Sequence, residues 1–204
     1  MVAAGLIAGV SRPAAAPLAN APACPVFPAT NVWNKPVDGL PVAANSDTMV
    51  NAIGRNTGMH PDFGSYAGYG IPITIVPGVQ KKVKVSFTWP RESNAGPYPI
   101  PANPKIEAGS DRHMILVDKD HCRLYELFAA KHTSKGWHAG SGAIWDMRSD
   151  ALRPDGWTSA DAAGLPILPG LVQPSVRRAS ERMPQIAPEP ACQPFDVCFA
   201  ANSS

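Results

Sequence analysis

Charge is scarce in this chain. Asp, Glu, Lys and Arg make up 17% of 204 residues, and the formal net charge is +2. No run of Lys and Arg is long enough for a nucleic-acid footprint, so no nucleic-acid partner is implied. The densest group, Lys81, Lys82 and Lys84, reads as the charged edge that keeps a strand from pairing with other chains. No apolar run is long enough to span a bilayer, so no transmembrane segment is expected. None of the four cysteines stands in a CxxC pair, and the histidine spacing matches no ligand motif. No metal and no cofactor is implied. Asp62-Phe63-Gly64 spells a kinase triplet, but no phosphate loop or catalytic loop accompanies it.

Proline and glycine are plentiful, at 23 and 17 residues. Both break helices, so a mostly helical protein is excluded. Short strands joined by many turns suit this composition. The expected fold is all-β and mainly antiparallel, a sandwich or jelly-roll-like domain with one or two short helices. One helix is expected over Ser46–Ile53, capped by Ser46 or Asp47, with Met49, Val50 and Ile53 on its apolar side and Gly54 ending it. A second helical turn is expected at Ala160 to Ala163, capped by Thr158 or Ser159. Strands are expected at Ile71–Val76 and Lys82–Phe87. In the latter, Val83, Val85 and Phe87 alternate with Lys82, Lys84 and Ser86, the pattern of a half-exposed strand.

Three regions follow from composition. Residues 1–23 are Ala-rich, carry a short apolar run and end in small residues, which reads as a secretory leader. Residues 24–172 form the β-rich domain. Residues 173–204 hold three arginines, no lysine and five prolines, without strand alternation. They read as a disordered tail of the kind GC-rich DNA gives out of frame, in a truncated chain; a natural proline-rich tail is the alternative.

The domain is organised around Gly109 to Phe128, which reads as a β-hairpin. With a two-residue turn at Lys119-Asp120, Asp118 pairs with His121, Ile115 faces Leu124 and His113 faces Glu126. Side chains alternate along a strand. His113, Ile115, Val117, Cys122, Leu124, Glu126 and Phe128 then share one face, with His113 and Glu126 at its open end. Cys24 begins the expected mature chain and Cys122 lies on that inner face. In an exported protein the two form a bridge that staples the N-terminus to the sheet. Cys192 and Cys198 can pair locally.

Functional residues are sought where polar groups and aromatics gather. The glycine-rich loop Asn56 to Gly70 holds His60, Asp62, Tyr66 and Tyr69. After Phe128, Trp137, Trp145 and Trp157 interleave with Asp146, Asp150, Asp155 and Asp161. An aromatic ring stacks on the apolar face of a sugar while a carboxylate accepts from hydroxyls or acts as acid or base. Acid/base roles fall to Glu126, Asp111 or Asp146, with His113 as second acid/base or orienting group. Tyr66, Trp137, Trp145 and Arg112 are the substrate-binding candidates.

From about Val32 to Val172 the chain resembles a family of uncharacterised secreted bacterial β-rich proteins. The residues that carry this are VWNKPVDGLPV, HPDFG, GPYPIP, GSDRHMILVD, CRLYELF, GSGAIWD and LRPDGWTSADAAGLPILPGLV. The resemblance implies secretion to the periplasm or beyond and supplies no catalytic residue. Two functions are then expected from the residues themselves. One is an exported enzyme acting on polysaccharide by hydrolysis or elimination. The other is a non-catalytic carbohydrate-binding or cell-surface module.

Overall fold

The computed structural model describes residues 17–58 and 70–171. Tyr66, His60, Asp62, Cys192, Cys198, the leader up to residue 16 and the tail from 172 lie outside the described residues.

Strands dominate. After one helix, α1 (Ser46–Ile53), come β1 (Ile73–Val76), β2 (Val85–Phe87), β3 (Met114–Asp118), β4 (Arg123–Phe128), β5 (Lys131–Thr133), β6 (Gly136–Ala139) and β7 (Ser141–Asp146). They form two sheets: a four-stranded one in the order β1-β3-β4-β7 and a three-stranded one in the order β2-β6-β5. The β character is as expected, but antiparallel pairing is not universal. β1 pairs with β3, and β2 with β6, in parallel. β1 and β2 flank Pro77-Gly78, yet each joins a different sheet.

β3 and β4 make the expected antiparallel hairpin, with its register corrected by two residues. Asp118 pairs with Arg123, Val117 with Leu124 and Ile115 with Glu126. The loop is therefore Lys119 to Cys122, four residues rather than two. Asp118 explains the longer loop. Its carboxylate accepts from the Asp120 and His121 amides at 3.1 and 3.0 Å and from His121 Nδ1 at 2.9 Å. An aspartate that bonds the amides two and three residues on is a turn-former in its own right. Burial raises the Asp118 pKa, but these hydrogen bonds outweigh it and hold the carboxyl below its ordinary value. A slip of two keeps every side chain on its expected face, where a slip of one would have reversed them.

That parity builds two apolar clusters. On one side of the hairpin lie Ile115, Val117, Cys122 and Leu124, joined by Leu18, Ala21, Phe27, Trp145 and Leu168. Leu18 and Ala21 belong to the segment read as a leader, so the packed structure begins before Cys24. On the other side Met114, Leu116, Tyr125 and Leu127 meet Val85, Tyr98 and Ala139. This second cluster takes residues from both sheets.

β5, β6 and β7 run through the tryptophan-rich stretch after Phe128, for which no strand is expected from the sequence. Its glycines hide the strand pattern. A Cβ on Gly140 would lie 2.8 Å from both the Phe128 and Trp89 rings, and one on Gly142 would lie 2.4 Å from the Tyr98 hydroxyl. Glycine inside a strand marks such close approach. The free edge of β7 is covered by the 89–94 loop. Asn94 donates its backbone N–H to the Gly142 carbonyl, and its side-chain oxygen accepts the Ile144 amide at 3.0 Å.

α1 has the expected bounds. Neither Ser46 nor Asp47 caps it, because Ser46 is already its first residue and Asn45, which precedes it, makes no side-chain cap bond. None of its residues is buried, and Met49, Val50 and Ile53 are exposed. No helical turn forms at 160–163. Ser159 takes the Asp161 amide on its hydroxyl, which favours a tight turn there, and the helical turn comes later at Leu168–Gly170.

Candidate functional site

The start of β3 and the end of β4 meet at one end of the larger sheet. Arg112 and Ala129 close that end with left-handed backbone, φ 47° and 52°. Ala129 donates to the Asp111 carbonyl at 2.8 Å, and Arg112 Nε to the Ala130 carbonyl at 3.0 Å. Non-glycine residues occupy this backbone region at a cost that surrounding bonds must offset.

His113 stands at this end, with Glu107 rather than Glu126 as its partner. Glu107 Oε2 accepts from His113 Nδ1 at 2.6 Å and from the His113 amide at 3.1 Å. The other ring nitrogen, Nε2, lies 3.2 Å from the Ala160 carbonyl. Both side chains are partly open to solvent, 12% for His113 and 19% for Glu107. The expected His113–Glu126 pairing fails because the register places Glu126 opposite Ile115.

Glu126 is fully buried and already engaged. Its carboxylate accepts the Ile167 amide at 3.0 Å and the Leu168 amide at 2.9 Å. It thereby ties the segment around Leu168 to the sheet. Burial pushes its pKa up to about 7, although both amides and the His113 charge act to lower it. The Trp145 indole N–H acts in the same lowering direction but falls short of hydrogen-bond geometry, leaving Nε1 buried without a partner. A carboxylate closed off by two amides cannot meet a polymer in solution.

The other sequence candidates are dispersed. Asp111 is exposed and accepts from Ser110 Oγ at 3.0 Å. Asp146 lies at the far end of β7, 3.4 Å from Arg123, in a half-exposed ion pair of little energetic weight. Trp137 is half-buried edge-on against His132, with ring centroids 5.1 Å apart. Trp145 is buried edge-on against Phe27. His113, His121 and His138 have separate partners: Glu107 for His113, Asp118 for His121, and Ser86 and Thr88 for His138.

Two features escape a reading of the sequence. The first is Arg153. Its guanidinium lies over Trp145 and Trp157 at 5.6 and 5.4 Å from the ring centroids. It donates to the Thr158 and Glu92 carbonyls at 2.9 and 2.8 Å and to Asn94 Oδ1. It so fixes the 147–158 loop against the 89–94 loop. Burial lowers its pKa.

The second is Trp89. Its ring stacks on Phe128 with centroids 6.3 Å apart and an interplanar angle of 24°. Phe128 in turn meets His113 at 5.6 Å. Gly140 makes room for the stack. Trp89 remains 47% exposed. A ring supported from behind and open in front is a rigid apolar platform. The alternation Val83, Val85, Phe87 suggests an inner position for residue 89, but β2 ends at Phe87 and Pro90 turns the chain away. Compared with protein families, with curated proteins and with solved structures, the chain finds no match.

Proposed function

We propose that the chain is an exported module that binds polysaccharide at the open end of its larger sheet, within a two-sheet sandwich. One observation carries this reading: the half-exposed Trp89 ring is held on Phe128, whose ring also meets His113 of the Glu107–His113 pair. Aromatic faces pack on the C–H face of a sugar ring, and a neighbouring carboxylate accepts hydrogen bonds from its hydroxyls. The disulfide supports export, since such bonds persist in oxidising compartments.

A test is retention on a panel of immobilised polysaccharides. Trp89→Ala is expected to weaken binding at least tenfold, about 1.4 kcal/mol, and Trp89→Phe to restore part of it. Unchanged retention in Trp89→Ala would remove the platform from the account.

A second reading is hydrolysis or elimination at the same place, favoured by the 2.6 Å contact of Glu107 with His113. That pair is open enough to act as acid and base. New reducing ends or unsaturated products, lost in Glu107→Gln while binding survives, distinguish the enzyme from the module.

A further inference from the structure

The smaller sheet and the segments that flank its strands carry charge of one sign. Residues 79–91 and 129–145 contain Lys81, Lys82, Lys84, Arg91, Lys131 and Lys135 and no Asp or Glu. The whole chain is only +2, so the remainder is net acidic. Strand pairing sets the order on the outer face. Ser86 on β2 lies beside His138 on β6, which lies beside Lys131 on β5. Directly paired residues share a face. The inner row, Val85, Trp137 and His132, is the alternate set.

The outer row is joined by hydrogen bonds. His138 Nδ1 lies 3.0 Å from Ser86 Oγ, and Nε2 lies 3.2 Å from Thr88 Oγ1. Ser86, Thr88, Lys84 and Lys131 are all exposed. Among the described residues no carboxylate pairs with Lys84, Lys131 or Lys135. Lys82 differs, since it donates to the Tyr125 hydroxyl at 3.0 Å and caps that ring. Thr88, at the end of the row, is followed at once by Trp89.

Lysines on edge strands also serve to block aggregation. That role needs only a charge at each edge. It does not account for a basic face without carboxylates that runs through the central strand and ends at Thr88, next in sequence to the exposed Trp89.

We infer that the outer face of the β2-β6-β5 sheet binds the carboxylate or sulfate groups of an anionic polysaccharide whose sugar ring stacks on Trp89. This rests on the glycan-binding reading and specifies the class of glycan. Hydroxyls, imidazole and ammonium groups in one row present donors to anionic oxygens, and a face without carboxylates concentrates a polyanion by its field. The disulfide, a mark of oxidising compartments, favours extracellular glycan over nucleic acid as that polyanion.

The test compares the full chain against polygalacturonate, its fully methyl-esterified form and double-stranded DNA at two salt concentrations. Binding to polygalacturonate is expected to exceed binding to the ester at least tenfold and to fall as salt rises. Lys84→Gln combined with Lys131→Gln is expected to weaken polygalacturonate binding about tenfold and leave the ester unaffected. Trp89→Ala weakens both. Equal binding of the two polymers, untouched by the lysine changes, overturns this inference and leaves glycan binding standing. Failure to bind either polymer overturns both. Tighter binding to DNA than to polygalacturonate at equal charge overturns it in favour of nucleic acid.

Discussion

Replacing Cys24 and Cys122 by alanine lowers the stability of the domain by about 4–5 kcal/mol, the loss expected for opening a crosslink between residues this far apart. The two cysteines are 98 residues apart in sequence and their Cα atoms 5.2 Å apart. For a chain of this size that corresponds to a fall in melting temperature of about 10–15 °C. The bond does more than shorten the unfolded chain. It holds Leu18, Ala21 and Phe27 against Leu124 and Trp145 in the first apolar cluster. Both sulfurs belong to buried residues, so the folded protein should resist reductant that opens an exposed disulfide. Differential scanning calorimetry of the double variant checks this. A fall below about 3 °C, equivalent to roughly 1 kcal/mol, would show that the N-terminal segment is not stapled.

Glu126 gives the second large effect, and its sign is unusual. Its folded pKa, about 7, lies above the ordinary 4.5. The folded state therefore binds the extra proton between these values, and stability falls as pH rises through that window. The expected loss from pH 5 to pH 8 is about 2–3 kcal/mol, following the linkage relation. Asp118, whose pKa is lowered, acts the other way and only in acid, below its unfolded value. Urea denaturation across pH 5 to 8 reads this directly. In Glu126→Gln the side chain is neutral throughout, so the slope should vanish. Glu126→Ala instead orphans the Ile167 and Leu168 amides and costs about 2–6 kcal/mol, at 1–3 for each lost partner. A wild-type curve flat from pH 5 to 8 would show that the tether is ionised in the folded protein at both ends of the range.

The hairpin was the most legible part of the chain because its information is one of parity. Met114 to Asp118 and Arg123 to Phe128 each alternate cleanly between two cores, so the faces survive an error in loop length. The loop length itself depended on where Asp118 directs its carboxylate, which strand propensity does not register. The disulfide was legible from the expectation that Cys122 faces the inner side, and Cys122 does join the same apolar cluster as Ile115 and Leu124, although it sits in the loop rather than on β4. The parallel partners of β3 and β6 were not. They come from β1 and β2, 42 and 52 residues earlier by register, and hydrophobic pattern does not name a distant neighbour.

The site was less legible than the fold. Glu126 reads as a candidate acid because an apolar strand interrupted by a carboxylate looks purposeful. Its purpose is set by the amides of Ile167 and Leu168, 41 and 42 residues away. Trp145 looks like a sugar platform by composition, but Phe27 and Arg153 cover it. Trp89 carries no motif and becomes a platform only because glycine at 140 lets Phe128 lie beneath it. The lysines at 81, 82 and 84 suggest edge protection in isolation. The place of Lys84 on the same face as Ser86, His138 and Lys131 needs the parallel β2–β6 pairing.

The indole N–H resonances of the five tryptophans offer the most direct measurement of glycan binding. Titrating a soluble oligogalacturonate into nitrogen-15-labelled protein should shift the Trp89 signal most. Trp145, buried against Phe27, should stay still. Movement of Trp145 or Trp157 with Trp89 unchanged would place any ligand elsewhere and contradict the account.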